Sequence, residues 1–297
     1  MAIQQSNRLS FYDEIRKNKI SSFFLVGIVL LVLLALVYII ALIVGTAYFY
    51  TILILGIIIS IIYVVVGYYK SADLAIASVN AKPASEIQYR QYHNLVEGLA
   101  LASGLPKPKL YIMNDSQINA FASGRDPQHS VICVTTGALE KLNNGELEGV
   151  LAHEMSHVAN YDIRFMTLTA VLVGMISIIA QIFLRSLWFG GTRDNNNKGN
   201  AIFLVLAIIL SILAPIIVAL VQLAISRRRE YGADSSAVKF TRSPTGLIGA
   251  LKKIQYNSEM KVSGAVAPLF IAKPNKASEL FMTHPPLEKR ISRLERM

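Results

Sequence analysis

The sequence predicts a mainly α-helical membrane protein, with several membrane-spanning helices and a small β-sheet in its polar part. Of its 297 residues, 53% are hydrophobic and only 16% are charged, a balance outside the usual range of soluble domains. The apolar residues are concentrated in three uncharged runs, at residues 20–69, 165–184 and 200–226. These runs are long enough to require a membrane rather than a protein core.

The first run, residues 20–69, is expected to form a transmembrane hairpin. It has room for two helices of about 20 residues each, with Gly45 and Thr46 between them. A secretory signal peptide would have a shorter apolar region before a cleavage site, so we expect the hairpin to be retained. The basic end of segment 1–19 predicts a cytoplasmic N-terminus, and the chain then returns to the cytoplasmic side at Lys70.

The net charge of +10 is explained by the membrane and not by nucleic acid. Lysines and arginines lie at the borders of the apolar runs, where they meet anionic lipid headgroups. No basic stripe interleaved with aromatic residues occurs in the polar parts, which argues against nucleic-acid binding. The single cysteine, Cys133, excludes an internal disulfide framework and a cysteine-based structural zinc site, and it agrees with a reducing compartment.

The polar part at residues 70–164 is predicted to contain helices and a small sheet. Residues 73–101 are rich in helix formers, and the β-branched and aromatic stretches 109–113, 119–123 and 129–135 predict strands. Asn143 followed by Glu146 has the form of a capping box and predicts the start of a helix. We expect the sheet to lie over that helix.

The predicted helix carries His153, Glu154 and His157 in the pattern H-E-x-x-H. Residues four apart lie on one helical face, so both imidazoles can bind one ion while Glu154 flanks it as a base. Catalytic zinc usually takes three protein ligands and one water molecule. Glu230 is the best third ligand, and Asp234, four residues on, would hydrogen-bond the second nitrogen of a ligand histidine. The alternatives are an ordinary polar surface helix and an ion pair of Glu230 with the adjacent arginines.

The apolar residues 165–226 stand between these two parts of the site. A hairpin that crosses the membrane twice, or a pair embedded deeply without crossing, would return Glu230 to the side of His153. Arg185, Arg193 and Lys198 border the intervening loop, against the positive-inside tendency. Both arrangements therefore stay open.

Several motifs together resemble the HtpX family of membrane-bound zinc metalloproteases, which is of the gluzincin type and related to the CAAX prenyl proteases. The resemblance covers almost the whole chain and depends on these residues: His153 to Asn160 with Asp162, Arg229 to Asp234, Asn119 to Ala122, and Thr283 to Pro286 with Arg290 and Ile291. It implies a zincin-like α+β catalytic domain on the cytoplasmic face of a multi-pass inner-membrane protein. It also implies one zinc ion per chain, and membrane-protein substrates that are damaged or misassembled, as in quality control under stress.

The expected roles follow from metal chemistry and from this resemblance. Glu154 would accept the proton of the attacking water and later deliver it to the leaving amine. The resemblance places His284 near the site as an oxyanion donor, with Arg227 and Tyr231 as other candidates and a plain surface loop as the alternative. An edge strand made of Asn119, Ala120, Phe121 and Ala122 would pair with an extended substrate, unless these residues are simply core.

The chain is thus divided into an N-terminal segment (1–19), a hairpin (20–69), a first catalytic part (70–164), a second apolar pair (165–226) and a second catalytic part (227–297). The polypeptide substrates and the lipid bilayer are the expected partners, and the oligomeric state is not predicted. Two other functions stay open. One is a narrow-specificity processing protease of the CAAX type. The other is a membrane scaffold or holdase with a structural zinc, which three rather than four apparent ligands argue against.

Overall fold

The computed structural model describes residues 47–167, 227–256, 271 and 285–297, together with scattered positions between 20 and 41. Helix α1 (Phe49–Tyr69) is long and apolar enough to cross a membrane, with a mean hydropathy of 2.8, and only 6% of it is buried. Its 21 residues span about 32 Å at 1.5 Å per residue, close to the thickness of the bilayer core. It corresponds to the second half of the predicted hairpin.

The remaining membrane predictions fall largely outside the described part of the chain. Segment 1–19, most of the first span and residues 168–226 of the second apolar pair all lie there. Among the described residues, α1 is the one candidate span. The mainly helical class with a small sheet is confirmed, and the number of spans stays a prediction.

A four-stranded mixed sheet is formed by strands between residues 82 and 135. Its strands are β1 (Lys82–Pro83), β2 (Lys109–Met113), β3 (Ala120–Gly124) and β4 (Ser130–Thr135). Their order is β1-β2-β4-β3; β2 and β4 are parallel, and β3 is antiparallel to β4. The three strands predicted from sequence are confirmed, and the order places β3 at an edge.

The two faces of the sheet pack against different elements. Helix α2 (Ser71–Ser78) follows α1 at once and covers one face, where Ala75 and Ile76 join a cluster with Phe121 and Cys133. The other face carries Ala122 and Ile132 and packs against the helices that form the main core. Those helices are α3 (Arg90–Ser103), α4 (Thr136–Lys141), α5 (Asn144–Ala159), α6 (Arg227–Thr241), α7 (Thr245–Tyr256) and α8 (Leu287–Leu294).

The helix-forming stretch 73–101 is interrupted in the structure. Helix α2 ends at Ser78, Asn80 adopts a positive φ of 52°, and β1 pairs with β2 before α3 begins at Arg90. Pro83 has no backbone N–H and disfavours a helical conformation in the residue before it. The composition therefore predicted the helices at both ends of the stretch correctly. It did not predict the interruption between α2 and α3.

Helix α5 is the centre of the core. The predicted capping box is present: Asn143 Oδ1 accepts from the Glu146 N–H and the Glu146 carboxylate accepts from the Asn143 N–H. The helix is buried from Leu147 to Ala159 apart from Glu148, because α6 and α7 both pack against it. This burial fixes the direction of every side chain it carries.

Gly149 marks the closest approach of α5 and α7. A Cβ at this position would clash with the backbone nitrogen of Leu247. We expect Gly149→Ala to lower the free energy of unfolding by about 1–3 kcal/mol, because backbone atoms must move apart. The matched control is Gly98→Ala on α3, where nothing lies within 4 Å and a gain of up to ~1 kcal/mol is expected. Thermal unfolding in detergent measures both, and equal midpoints would contradict the packing argument.

Candidate metal centre

Helix α5 presents His153, Glu154 and His157 to the interior, and all three side chains are buried. The two imidazole rings lie 4.8 Å apart between centroids. Their four-residue spacing places them on one face of the helix, as the sequence predicts. A buried pair of imidazoles needs polar partners, and these come from helices distant in the chain.

Glu230 on α6 faces both histidines. Its Oε2 lies 3.6 Å from His153 Nε2, and its Oε1 lies 3.6 Å from His157 Nε2. Ligand atoms of the three residues all lie within 4.8 Å of one another. Atoms bound about 2.0–2.2 Å from a tetrahedral zinc are about 3.3–3.6 Å apart, so small movements would complete a three-ligand site. Ser156 Oγ also donates to the Ala233 carbonyl at 3.2 Å and ties α5 to α6 beside this cluster.

Each histidine has a carboxylate at its other ring nitrogen. His153 Nδ1 lies 3.0 Å from Asp234 Oδ1, and His157 Nδ1 lies 3.1 Å from Asp162 Oδ2. A carboxylate at Nδ1 keeps the proton on that nitrogen and leaves Nε2 as the metal-binding atom. Asp234 thus lies at the ring nitrogen of His153 that its predicted role requires.

Asp162 enters the site through a turn at the end of α5. Tyr161 has a positive φ of 59°, which reverses the chain and carries Asp162 back to His157. In the sequence it stood out only as part of the family resemblance. A carboxylate five residues after a ligand histidine, just beyond a helix end, is the signal that identifies it.

Arg290 is the main site residue that sequence reasoning missed. Its side chain is fully buried, with Nη2 2.6 Å and Nε 2.9 Å from the two Asp234 oxygens, and Nη1 lies 3.3 Å from Glu230 Oε2. On α8 it falls on the apolar stripe formed by Leu287, Ile291 and Leu294. An arginine at that position of a stripe must face the core, which is the available sequence signal.

Acidic side chains outnumber basic ones among the described residues of the centre. Its buried carboxylates are Glu154, Asp162, Glu230 and Asp234. The described arginines that face them are Arg290 and Arg229, whose Nε lies 3.7 Å from Asp162 Oδ1. Such an acidic group of buried side chains would favour the binding of a divalent cation. The donor set and the charge both fit zinc.

The same carboxylates act on the histidines of the metal-free chain. Burial and Arg290 lower the pKa of His153, but Asp234 and Glu230 outweigh them and raise it to about 9. Burial also lowers the pKa of His157, and the hydrogen bond to Asp162 more than compensates, so that it is raised. A metal would replace these protons as the source of positive charge.

Glu154 lies between the histidines and the edge of the sheet. Burial raises the pKa of its carboxyl group, and the Ala122 backbone N–H donates a hydrogen bond to it. A raised pKa suits a group that must take up and release a proton near neutral pH. Strand β3 therefore contacts the candidate base directly.

The predicted edge-strand residues are all buried, with Asn119 leading into β3. The Ala120 N–H donates to Asn119 Oδ1 at 3.0 Å, and the Ala120 carbonyl accepts from the Ile271 N–H at 3.1 Å. Phe121 packs into the cluster on the far face of the sheet. These contacts hold the strand in place, and they leave Ala122 as the position of the edge beside Glu154.

The structure gives less information on the three candidate oxyanion donors. His284 lies outside the described residues, as does the side chain of Arg227. Tyr231 is described, and the Arg293 guanidinium of α8 stacks over its ring at 4.7 Å.

Comparison with known proteins gives one family. The sequence model of peptidase family M48 matches residues 86–297. The "Protease HtpX homolog" of Thermoanaerobacter pseudethanolicus is 48% identical, over 81% of this chain and 84% of that protein. The protein of the same name from Dictyoglomus turgidum is 40% identical, over 97% of this chain and 95% of that protein.

A solved structure with a similar fold is the crystal structure of S. mikatae Ste24p, with a TM-score of 0.50 and 21% sequence identity. The similarity covers 80% of this chain and 57% of that one, and it concerns the fold alone. The family match covers well over half of the sequence and includes every residue of the metal centre. The chain therefore belongs to peptidase family M48 and is a metalloprotease.

Proposed function

We propose that this chain is a zinc-dependent membrane endopeptidase that hydrolyses misfolded or damaged membrane proteins at the cytoplasmic face. The observation that carries the proposal is the convergence of His153, His157 and Glu230 beside Glu154, at a sheet edge. Three ligands leave a fourth position of a tetrahedral ion open, which favours a catalytic over a structural metal.

The metal and the side chains have separate roles in the proposed reaction. Zinc held by His153, His157 and Glu230 would supply a Lewis acid that acidifies water and polarises the scissile carbonyl. Glu154 takes the proton of the attacking water and passes it to the leaving amine. Asp234 and Asp162 fix the orientation of the two imidazoles, and Arg290 holds Asp234 and Glu230 in place.

The substrate is proposed to lie extended along the edge of β3 and to pair with it at Ala122. Pairing through backbone groups accepts many sequences and demands an unfolded segment, as quality control requires. His284 remains the proposed oxyanion donor. Helix α8 supports this, because it brings Arg290 into the centre and begins at Leu287, three residues after His284.

The cytoplasmic orientation is supported by the charges at one end of α1. Lys70, Arg125 and Arg164 all lie near the end that leads into the sheet. Positive residues are retained on the cytoplasmic side of membrane helices. The catalytic part is therefore proposed to lie in the cytoplasm, on the surface of the inner membrane.

Metal analysis combined with cleavage of a disordered membrane-protein fragment tests the function. The purified chain should contain one zinc per molecule, lose activity on chelation and regain it when zinc returns. Glu230→Ala should weaken zinc binding by more than about 100-fold, because loss of a direct ligand exceeds the cost of losing an outer partner.

Three results would contradict the proposal in different ways. Activity in a metal-free chain would exclude the metal mechanism. A fully loaded chain that cleaves nothing would favour a structural zinc, and cleavage of lipidated C-terminal peptides alone would favour a narrow processing protease.

A further inference from the structure

The membrane helix is attached to the strand that borders the metal centre. Arg125 follows β3 directly, and its guanidinium lies 4.9 Å from the centroid of the Tyr69 ring. Its Nη1 also donates to the Tyr69 carbonyl at 3.3 Å. Because Tyr69 is the last residue of α1, one end of β3 is fixed at the end of the membrane helix.

The metal-binding helix is attached to the same place. Arg164, a few residues beyond α5, lies 5.9 Å from the Tyr68 ring and 5.4 Å from the Tyr161 ring. Its Nε donates to the Arg125 carbonyl at 2.8 Å. The two arginines thus join the ends of β3 and α5 to one another and to α1.

The start of the second apolar run meets this junction as well. Thr167 Oγ1 lies 3.1 Å from Ser123 Oγ, and the Gly124 N–H donates to it at 3.4 Å. Residues 165–184 begin an uncharged run. The end of α1 and the start of the second apolar run therefore meet at the Gly124 end of β3. Because α1 is a candidate membrane span, we expect the membrane surface at this end of the strand.

Chain geometry limits the height of the site above that surface. Ala122 and Arg125 are three residues apart, which is at most ~11 Å of extended chain. Glu154 accepts a hydrogen bond from the Ala122 N–H and therefore lies at the same level as Ala122. With the Arg125 side chain added to this path, Glu154 and Ala122 lie within roughly 20 Å of the end of α1. An extended polypeptide covers this distance in about six residues.

We propose that this protein selects peptide bonds in the juxtamembrane segments of other membrane proteins, with the scissile bond about six residues or fewer beyond the end of a substrate helix. The inference rests on the proposed function and specifies its substrates. A tether of about six residues is long enough to reach the β3 edge while the substrate helix stays in the bilayer. A bond much farther away reaches it at an effective concentration that falls with tether length.

The test uses the full-length protein in vesicles of neutral lipid with a series of anchored substrates. Each substrate has one membrane helix, a Gly-Ser tether of 1, 3, 6, 12 or 24 residues, and the same cleavable cassette. The same cassette without a helix is the matched control. Rates are measured by gel, and the position of the first cut is measured by mass spectrometry.

Turnover should be highest at a tether of six residues or fewer, and at least about tenfold lower for the cassette without a helix. It should decline gradually from six toward 24 residues, because a longer tether lowers the effective concentration of the cassette at the site. Equal rates at all tether lengths, with the free cassette cut, would overturn the height inference and leave the peptidase intact. If neither anchored nor free cassettes are cut, the proposed function itself fails.

Arg125→Ala provides an independent test, because it removes the contact between β3 and Tyr69 without touching the metal centre. The ratio of turnover at a six-residue tether to turnover of the free cassette should become smaller, and turnover of the free cassette should be unchanged. Arg296→Ala, an exposed position beyond α8, is the control. An unchanged tether profile in Arg125→Ala would contradict the role of this junction in setting the height.

Discussion

Glu154→Gln is expected to lower the rate of peptide-bond hydrolysis by about 10²–10⁴, the usual contribution of a general base, while the chain keeps its zinc. The amide cannot accept the proton of water. It still offers an oxygen to the Ala122 N–H, and His153, His157 and Glu230 are unchanged. Turnover of a disordered substrate and the zinc content of the same preparation are the two measurements.

Glu148→Gln is the matched control for this substitution. Glu148 lies on the same helix, and its replacement by glutamine removes the same charge. It is partly exposed and lies outside the metal centre. It should keep full turnover. Equal rates for the parent and Glu154→Gln would exclude Glu154 as the base, and loss of zinc in the variant would assign it a ligand role instead.

Arg290→Met is expected to lower the free energy of unfolding by about 3–5 kcal/mol, because it leaves Asp234 and Glu230 buried without their cation. The double variant Arg290→Met with Asp234→Asn should recover a large part of this loss. Removing both members of a buried pair is less costly than removing one. Thermal or urea unfolding of the metal-free chain measures the cycle.

The coupling between the two substitutions distinguishes a charge effect from a packing effect. Lys289→Met, an exposed neighbour on α8, should change stability by less than about 0.5 kcal/mol. If the losses in Arg290→Met and Asp234→Asn are simply additive, the guanidinium does not act through Asp234.

Local signals in the sequence were sufficient for much of the fold. The capping box at Asn143 and the three strands rest on interactions between near neighbours, and they occur as predicted. The break between α2 and α3 was missed, since Pro83 sits in a strand formed by pairing with distant Tyr111. Secondary-structure propensity describes only the conformation that a segment prefers in the absence of such pairing.

Some residues of the candidate site could also be predicted from local sequence patterns, and others could not. His153, Glu154 and His157 follow from helical periodicity, and the spacing of Glu230 and Asp234 identified the second helix. Arg290 could not be assigned a partner because 137 residues separate it from His153. Its position on an apolar stripe shows that it is buried, but the identity of the carboxylates it meets depends on tertiary packing.

That separation also determines when the enzyme is assembled during its synthesis. His153 leaves the ribosome first, and the apolar residues 165–226 must be made before Glu230 and then Arg290 exist. At ~5–20 residues per second, 137 residues take roughly 7 to 27 seconds. During this interval the nascent chain carries two histidines without their third ligand or its supporting cation. The protease is therefore expected to stay inactive until its last residues have been synthesised.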